Sequence, residues 1–146
     1  MKIGYTGTRE GMIEIQFRTF GEVYASMVPW TEFRHGCCPG ADEQAVVLVY
    51  DMQTEAEVPC VIHAHPSTLV GMLSKKAELL SGIIHPKKPP LIRNHDIVNE
   101  VDEMIACPKG PEELWSGTWA CVRYARKQRK PITIIWPNGN VTEERP

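Results

Sequence analysis

The amino-acid sequence predicts an α/β fold: a mainly parallel sheet of five or six strands with helices packed on both faces. Short apolar runs typical of buried strands alternate with amphipathic helical segments along the whole length. A chain of 146 residues fits one domain with a core of ordinary size. Glycines and hydroxyl residues recur where strands give way to helices, which is where such folds bind ligands. We therefore expect residues 1–146 to form a single Rossmann-like three-layer domain.

The first half of the chain contains three predicted strand–helix pairs. The strands are residues 2–5, 31–34 and 60–64, and the helices are residues 10–27, 41–50 and 68–80. In the first helix, apolar side chains from Met12 to Met27 share one face at a period of 3.6. Residues 41–50 fit a helix or a strand by pattern alone, but the preceding Pro-Gly turn and Asp42 in the first turn favour a helix. The run CVIHA over 60–64 follows Pro59 and is typical of a buried strand.

The second half begins with the segment GIIHPKKPP, residues 82–90, which its three prolines predict to be a loop. This loop either closes over a pocket, with Lys87 and Lys88 adding positive charge, or only connects two elements. Helices are predicted over residues 92–101 and 117–130, and strands over residues 103–106 and 132–136. Residues 107–115 form a loop, and a turn over 137–139 closes the last strand.

Composition and charge exclude several classes of protein. The chain is 42% hydrophobic and 23% charged, and its longest apolar runs are too short to span a bilayer. A net charge of -2 argues against a general nucleic-acid binder. Five cysteines, two of them the adjacent Cys37 and Cys38, do not suit a disulfide framework. We expect a cytoplasmic protein, with no signal peptide and no membrane partner.

Three strand-to-helix junctions place small residues just before a helix, and this pattern indicates an anionic ligand. They are YTGTREG at 5–11, HGCCPGADE at 35–43 and SGTW at 116–119. Glycine allows the backbone to approach a ligand closely, and the free N–H groups at a helix start favour an anion. All three junctions are expected at the same edge of one parallel sheet. Neither the P-loop fingerprint nor the G-x-G-x-x-G spacing is present.

Four pieces together resemble the SLOG superfamily, the Rossmann-like group that includes the lonely-guy phosphoribohydrolases and the DNA-processing protein A-like domains. They are GTR, HGxxPGAD, PLxRNxxIV and SGTWxxVRxARK, and the resemblance runs from residue 2 to about residue 139. It is strongest to the small single-domain bacterial and phage members. The resemblance implies a nucleotide or nucleotide-derived ligand held by these loops, and a homodimer or higher homo-oligomer.

Carried over by their motifs, the expected ligand-binding residues come from all four pieces. Arg9 is expected to pair with phosphate, Asp42 to accept from a ribose hydroxyl or cap its helix, and Cys37 to lie in the second turn as a small filler. The full expected set is Gly7, Thr8, Arg9, Gly36, Cys37, Gly40, Ala41, Asp42, Arg93, Asn94, Ser116, Gly117 and Thr118.

One departure from the resemblance bears on catalysis. The hydrolytic lonely-guy members have the motif PGGxGTxxE, and Cys121 stands where that glutamate would be. A thiol of ordinary pKa cannot replace a carboxylate in acid–base chemistry at an N-glycosidic bond. Glu10 and Glu43, in neighbouring loops, are the candidate substitutes. The first hypothesis is therefore a sensor or sequestering protein. A nucleotide N-glycosidic-bond hydrolase or transferase is the alternative, and a DNA-associated accessory protein is the second alternative.

Three other groups of residues have competing interpretations. Cys37 and Cys38 with His35, His63 and His65 are conceivable zinc ligands, and Cys37 beside His35 is a conceivable thiol nucleophile. Structural thiols, with no metal and no cofactor, are the favoured interpretation. The basic residues of the last predicted helix (Arg123, Arg126, Lys127, Arg129 and Lys130) are expected to be a solvated helix end, with contacts to phosphate or a partner as the alternative. Trp115 and Trp119 flank SGT and are either packing residues or a base-stacking platform, whereas Trp136 is expected to pack in a strand.

Overall fold

The computed structural model describes all 146 residues, as seven strands and five helices. The strands are β1 Lys2–Gly7, β2 Glu32–His35, β3 Val61–Ala64, β4 Ile83–Ile84, β5 Glu103–Cys107, β6 Ile132–Ile135 and β7 Val141–Glu144. The helices are α1 Glu14–Ala25, α2 Ala41–Ala56, α3 Lys75–Leu80, α4 Pro90–Glu100 and α5 Gly117–Lys127.

All the strands belong to one sheet in the order β4-β3-β2-β1-β5-β6-β7. The pairs from β4 to β6 are parallel, and only β7 runs antiparallel, against β6. The chain builds outward from β1 to β4, then crosses back to place β5 on the other side of β1. The predicted α/β fold with a mainly parallel sheet is confirmed, and the order of strands reverses between β1 and β5.

The helices pack on the two faces of this sheet in two separate apolar clusters. Helices α1, α2 and α3 contribute Phe20, Val46 and Ala77 to the larger cluster, which also contains Phe33 and Ile62 from the strands. Helices α4 and α5 form the smaller cluster with β5 and β6, and its buried members include Ile97, Val122, Met104 and Ile132. This is the three-layer arrangement in which the strand-to-helix loops gather at one edge.

The first two helices differ in extent from their predictions. Helix α1 starts at Glu14, not at residue 10, because the chain first makes a turn in which the Gly11 N–H donates to the Thr8 carbonyl at 3.1 Å. Helix α2 continues past residue 50 to Ala56. It ends where Glu57 takes a left-handed conformation, with φ at 54°, which is a common way to terminate a helix.

Two predictions for the segment between β3 and α4 were wrong. The helix predicted over 68–80 is only the six residues of α3, which starts after Ser74 because the Ser74 hydroxyl accepts the Ala77 N–H. The loop predicted over 82–90 contains the two-residue strand β4 and the first residue of α4. Pro90 fits there because the first position of a helix needs no N–H donor.

Strand β7 was not predicted at all. It follows the turn over 137–139 and pairs with the whole of β6, from Ile132 opposite Glu144 to Ile135 opposite Val141. Arg126 on α5 fixes its end through two bonds of 2.8 Å to the Glu144 carboxylate. None of the helices is both long and apolar enough to cross a membrane.

Candidate functional site

A cleft of about 310 Å³ opens at the carboxyl ends of β1, β2 and β5. This is the point where the strand order reverses, which is the usual ligand-binding position in an open parallel sheet. The volume lies at the lower end of the range for small-molecule sites. The lining residues are Tyr5, Thr6, Gly7, Thr8, Arg9, Glu10, Gly36, Cys38, Asp42, Pro90, Leu91, Arg93, Asn94, Ile97, Lys109, Glu113, Trp115, Ser116, Gly117 and Thr118.

Most of the residues expected to bind a ligand line this one cleft. They are Gly7, Thr8, Arg9, Gly36, Asp42, Arg93, Asn94, Ser116, Gly117 and Thr118. They come from three strand-to-helix loops and from α4, so the fold brings together positions more than a hundred residues apart in the chain. The rule that strand-to-helix loops meet at one edge grouped the loop residues, whereas Arg93 and Asn94 were indicated only by the resemblance.

Cys37, Gly40 and Ala41 do not line the cleft but support its wall. The Ala41 N–H donates to the Thr8 carbonyl at 3.0 Å and so ties the second loop to the first. Gly40 has a φ of 86°, and a Cβ there would lie 2.2 Å from the Arg9 carbonyl oxygen, so only glycine allows this contact. Cys37 is fully buried, and its N–H donates to Nδ1 of His35 at 3.0 Å.

The N-terminus of α5 opens onto the cleft and offers free backbone donors. Ser116 is the N-cap, and its hydroxyl accepts the Trp119 N–H at 3.3 Å. The N–H groups of Gly117 and Thr118 are the first two of the helix and have no acceptor within it. The first turn has no acidic residue, and the space beside Gly117 is open. A helix start of this kind favours an anion.

The N-terminus of α2 differs because the protein itself supplies its negative charge. Asp42 and Glu43 occupy the first turn. The Asp42 carboxylate accepts the Cys38 N–H at 3.1 Å, and the Ala41 N–H is already bonded to Thr8. The SGTW junction therefore has free backbone N–H donors, whereas the HGCCPGADE junction already contains a carboxylate, that of Asp42, at its helix start.

Arg93 is a buried cation in the floor of the cleft, with only 6% of its surface exposed. Its guanidinium donates to the carbonyls of Gly36 and His65 and, at 2.8 Å, to the Asn94 side-chain oxygen. It has no carboxylate within ion-pair distance. A Cβ on Gly36 would lie 2.7 Å from this guanidinium and 2.9 Å from the Asp42 carboxylate, so a larger residue there would have to displace one of these two buried groups.

Asp42 is the buried carboxylate of the cleft, with 5% of its surface exposed. Burial raises its pKa from 3.8 to about 6, although the Arg93 charge and the hydrogen bond from Cys38 act in the opposite direction. A carboxyl group with a pKa near 6 can both donate and accept a proton close to neutral pH. The sequence had indicated Asp42 as a ribose or capping residue, and its raised pKa could not be foreseen without its burial.

The two acidic residues that the sequence offered as catalytic candidates have other contacts. Glu43 does not line the cleft, because its carboxylate accepts the Ser74 hydroxyl of α3 at 2.6 Å. Glu10 lies at the exposed rim, 3.5 Å from the Lys109 ammonium. Cys121, which the motif comparison aligns with the glutamate of the lonely-guy proteins, is buried, and burial raises its pKa to about 12, so the thiol is neutral.

The rim also contains residues outside the expected ligand-binding set. Lys109, Glu113 and Trp115 come from the loop after β5, and Pro90 and Leu91 come from the start of α4. Pro90 and Leu91 belong to the PLxRN motif and Trp115 was a stacking candidate, so only Lys109 and Glu113 had no signal in the sequence beyond their place in the loop after a strand. Arg9, the free cation of the first loop, is exposed at the same rim.

The cysteines do not form a thiol catalyst. All five are free and buried. Burial raises the pKa of Cys37 to about 12 and lowers that of His35 to about 3, so neither the thiolate nor a charged imidazole is available near neutral pH. No three His, Cys, Asp or Glu side chains are arranged to hold a metal ion.

The histidines of β3 belong to a different part of the molecule. Nδ1 of His63 lies 3.0 Å from Nε2 of His85, and the rings of His65 and His85 stack at 4.1 Å. His65 and His85 line a second, polar cavity of about 400 Å³, together with Arg34 and Lys88. Lys88 pairs there with Asp96 at 2.6 Å, and neither Lys87 nor Lys88 lines the main cleft.

The basic residues of α5 and the tryptophans also have defined places. Arg126 pairs with Glu112 at 2.9 Å and with Glu144 at 2.8 Å, so it is not simply a solvated helix end. Trp119 is buried in the smaller cluster and Trp136 packs against it. Trp115 alone lies at the cleft.

Comparison with known proteins gives one informative structural match. No family model matches the sequence, and no curated protein matches it at a significant level. Among solved structures, the molybdenum cofactor binding protein from the phototrophic bacterium Rippkaea orientalis superposes with a TM-score of 0.63. The two chains are 22% identical, and the match covers 93% of this chain and 77% of the other. At this level of identity the match supports the fold.

Proposed function

We propose that the cleft binds a nucleotide or nucleotide-derived ligand, such as a nucleotide sugar or a cyclic or NAD-derived signal, and that the chain is a sensor or a sequestering protein. The observation that carries the proposal is the start of α5. It presents the free N–H groups of Gly117 and Thr118 to the cleft with no acidic residue in the first turn. These are the features of a phosphate subsite.

The charges around the cleft favour a phosphate at the start of α5 over a phosphate elsewhere in the cleft. Arg9, Arg93 and Lys109 are balanced by Glu10, Asp42 and Glu113, so the lining as a whole has no excess charge. An anion must therefore be bound by a local arrangement. Helix α5 has no carboxylate in its first turn, unlike α2. Helix α4 has none either, but it begins with Pro90, which has no N–H to donate. Arg9 is the free cation that can reach a phosphate there.

The structural neighbour supports the more general part of the proposal. That protein is described as binding the molybdenum cofactor, so a related fold serves a small-molecule ligand. Membership of the SLOG superfamily, one domain over residues 1–146, a cytoplasmic location and a homo-oligomeric state belong to the same proposal.

The phosphate subsite is tested by a substitution that removes one backbone donor. Gly117 is the first helical residue, where proline is well tolerated, and Ser116 before it has the extended conformation that precedes proline. Gly117→Pro should therefore keep the melting temperature of the wild-type chain but weaken binding of adenosine 5′-monophosphate about tenfold. Gly117→Ala, which retains the N–H and meets no neighbouring atom, is the matched control.

Binding is measured by isothermal titration calorimetry with nucleoside monophosphates, NAD-derived compounds and cyclic dinucleotides. Mass spectrometry of the small molecule released on denaturing the purified protein identifies a ligand that co-purifies. If no member of the panel binds and nothing is released, the nucleotide proposal is wrong. If Gly117→Pro binds as well as Gly117→Ala, the phosphate does not contact α5.

A second candidate function is cleavage at an N-glycosidic bond, and one observation favours it. Asp42 lines the cleft with a pKa of about 6, so it can supply the acid–base group that the buried Cys121 cannot. An enzyme would release free base from a nucleoside monophosphate, as chromatography would detect, and Asp42→Asn would abolish the release. A binding protein would show a melting-temperature shift without free base.

The balanced charge of the cleft does not favour the DNA-associated alternative, because a nucleic-acid groove needs several unpaired cations. Fluorescence anisotropy with a labelled duplex at low salt tests it directly. Tight, salt-dependent binding of DNA together with no nucleotide binding would favour the DNA-associated function over the two nucleotide-based candidates.

A further inference from the structure

Trp115 is an unusual surface residue, with 97% of its surface exposed. Tryptophan has a large apolar area that is normally buried in part. The adjacent Leu114 is also exposed, at 77%. Both lie in the loop between β5 and α5, and Trp115 lines the cleft.

The loop that carries Trp115 is fixed by α5. The Arg123 guanidinium donates to the carbonyls of Glu113 and Leu114 at 3.2 and 3.1 Å. It also pairs with the Glu112 carboxylate at 3.3 Å. Three contacts from one side chain hold consecutive residues just before Trp115, so its exposed position is built into the structure.

Trp115 stands next to the proposed phosphate subsite. It directly precedes the N-cap Ser116, and two residues of chain span at most about 7 Å. The indole and the free N–H groups of α5 are therefore within the reach of one nucleotide. Leu91, from α4, adds apolar surface to the same cleft.

We propose that Trp115 is the stacking residue for the ligand's aromatic base, while the phosphate binds at the start of α5. This inference rests on the proposed function and specifies the ligand further. An indole face stacks on any planar base and gains more contact from a larger ring. The cleft therefore selects for an aromatic ring, and it binds purine nucleotides more tightly than pyrimidine nucleotides.

The test compares three probes that share a phosphate: adenosine 5′-monophosphate, uridine 5′-monophosphate and ribose 5-phosphate. Trp115→Ala should bind the adenosine nucleotide at least about fivefold more weakly than the wild-type chain does. Its affinity for ribose 5-phosphate should stay within about twofold, and the preference for purine should disappear. Trp115→Phe should retain most of the affinity, because it keeps an aromatic face.

Controls separate stacking from other effects of the substitution. Leu79→Ala removes another exposed apolar side chain, on α3 and outside the cleft, and should change none of the three affinities. The melting temperature of Trp115→Ala should equal that of the wild-type chain, since the side chain is exposed. Analytical ultracentrifugation of both proteins shows whether Trp115 joins copies of the chain.

Four results would overturn the inference. Trp115→Ala with unchanged affinity for the adenosine nucleotide would refute stacking while leaving the proposed function intact. An equal loss for ribose 5-phosphate, or conversion of a wild-type dimer to a monomer, would assign Trp115 another role. If the wild-type chain binds none of the three probes, this inference fails, and the proposed function fails with it only if the wider nucleotide panel also gives no binding.

Discussion

The raised pKa of Asp42 predicts how the free energy of unfolding changes with pH when this carboxylate is removed. Asp42→Asn replaces the buried carboxylate by an uncharged group of the same shape, which still accepts the Cys38 N–H bond of 3.1 Å. In the wild-type chain the Asp42 pKa is about 6 in the folded state against 3.8 ordinarily. Each pH unit is worth about 1.36 kcal/mol, so the difference corresponds to about 3 kcal/mol.

The direction of the pKa difference determines whether raising the pH stabilises or destabilises the folded chain. Between pH 4 and 6 the folded chain holds a proton on Asp42 that the unfolded chain has released, so raising the pH favours unfolding. Asp42→Asn has no such proton. Its free energy of unfolding minus that of the wild-type chain should therefore rise by about 2 kcal/mol between pH 4 and pH 7, which is most of the full difference.

Urea unfolding curves, followed by tryptophan fluorescence at intervals from pH 4 to pH 7, give this difference directly. Asp51→Asn removes an exposed carboxylate from the same helix and shows how much of the change any such removal causes. A difference that stays flat over the range would mean that Asp42 has an ordinary pKa when folded. A difference that falls would mean that Arg93 dominates and keeps the carboxylate ionised, and Asp42 could not then serve as a proton donor.

Three further substitutions test the wall, the floor and the rim of the cleft. Gly40→Ala should reduce the free energy of unfolding by at least about 2 kcal/mol in urea, whereas Gly110→Ala, with open space around it, should change it little. Arg93→Met removes the guanidinium donor from the buried carbonyls of Gly36 and His65 and should cost about 2–5 kcal/mol in the same assay; a loss below 1 kcal/mol would contradict its anchoring role. Arg9→Ala should weaken adenosine 5′-monophosphate binding in calorimetry with little change in melting temperature, and Arg18→Ala, which removes an exposed arginine of α1, is its control. If Arg9→Ala unfolds the protein instead, Arg9 is structural.

The sequence was sufficient to predict the class of fold and the edge of the sheet that carries the cleft. Alternation of apolar strands and amphipathic helices is a local pattern, so it can be identified in the sequence without any knowledge of tertiary contacts. The position of ligand loops at the carboxyl ends of parallel strands is a general property of the class. Together they grouped Arg9, Asp42 and Gly117, whereas Arg93 was indicated only by the resemblance of its motif.

The remaining features depend on contacts between distant parts of the chain. Strand β7 has exposed, polar residues and becomes a strand only because β6 offers an edge for it. The segment 68–73 is apolar enough to suggest a helix, yet it includes Val70 at 99% exposure and forms none. The supporting role of Gly40 requires the Arg9 carbonyl, thirty-one positions earlier. Such pairings cannot be derived from local periodicity.

The proline- and lysine-rich segment after β4 has a consequence for how copies of this chain can associate. Strand β4 lies at one edge of the sheet and has only two residues, Ile83 and Ile84. The sequence HPKKPP follows at once. Prolines lack the N–H that a further strand would need, and lysines repel a second edge of the same kind. At the other edge, β7 ends in two glutamates. The prolines and lysines thus protect the β4 edge against growth by strand addition, so we expect copies of this chain to associate away from that edge.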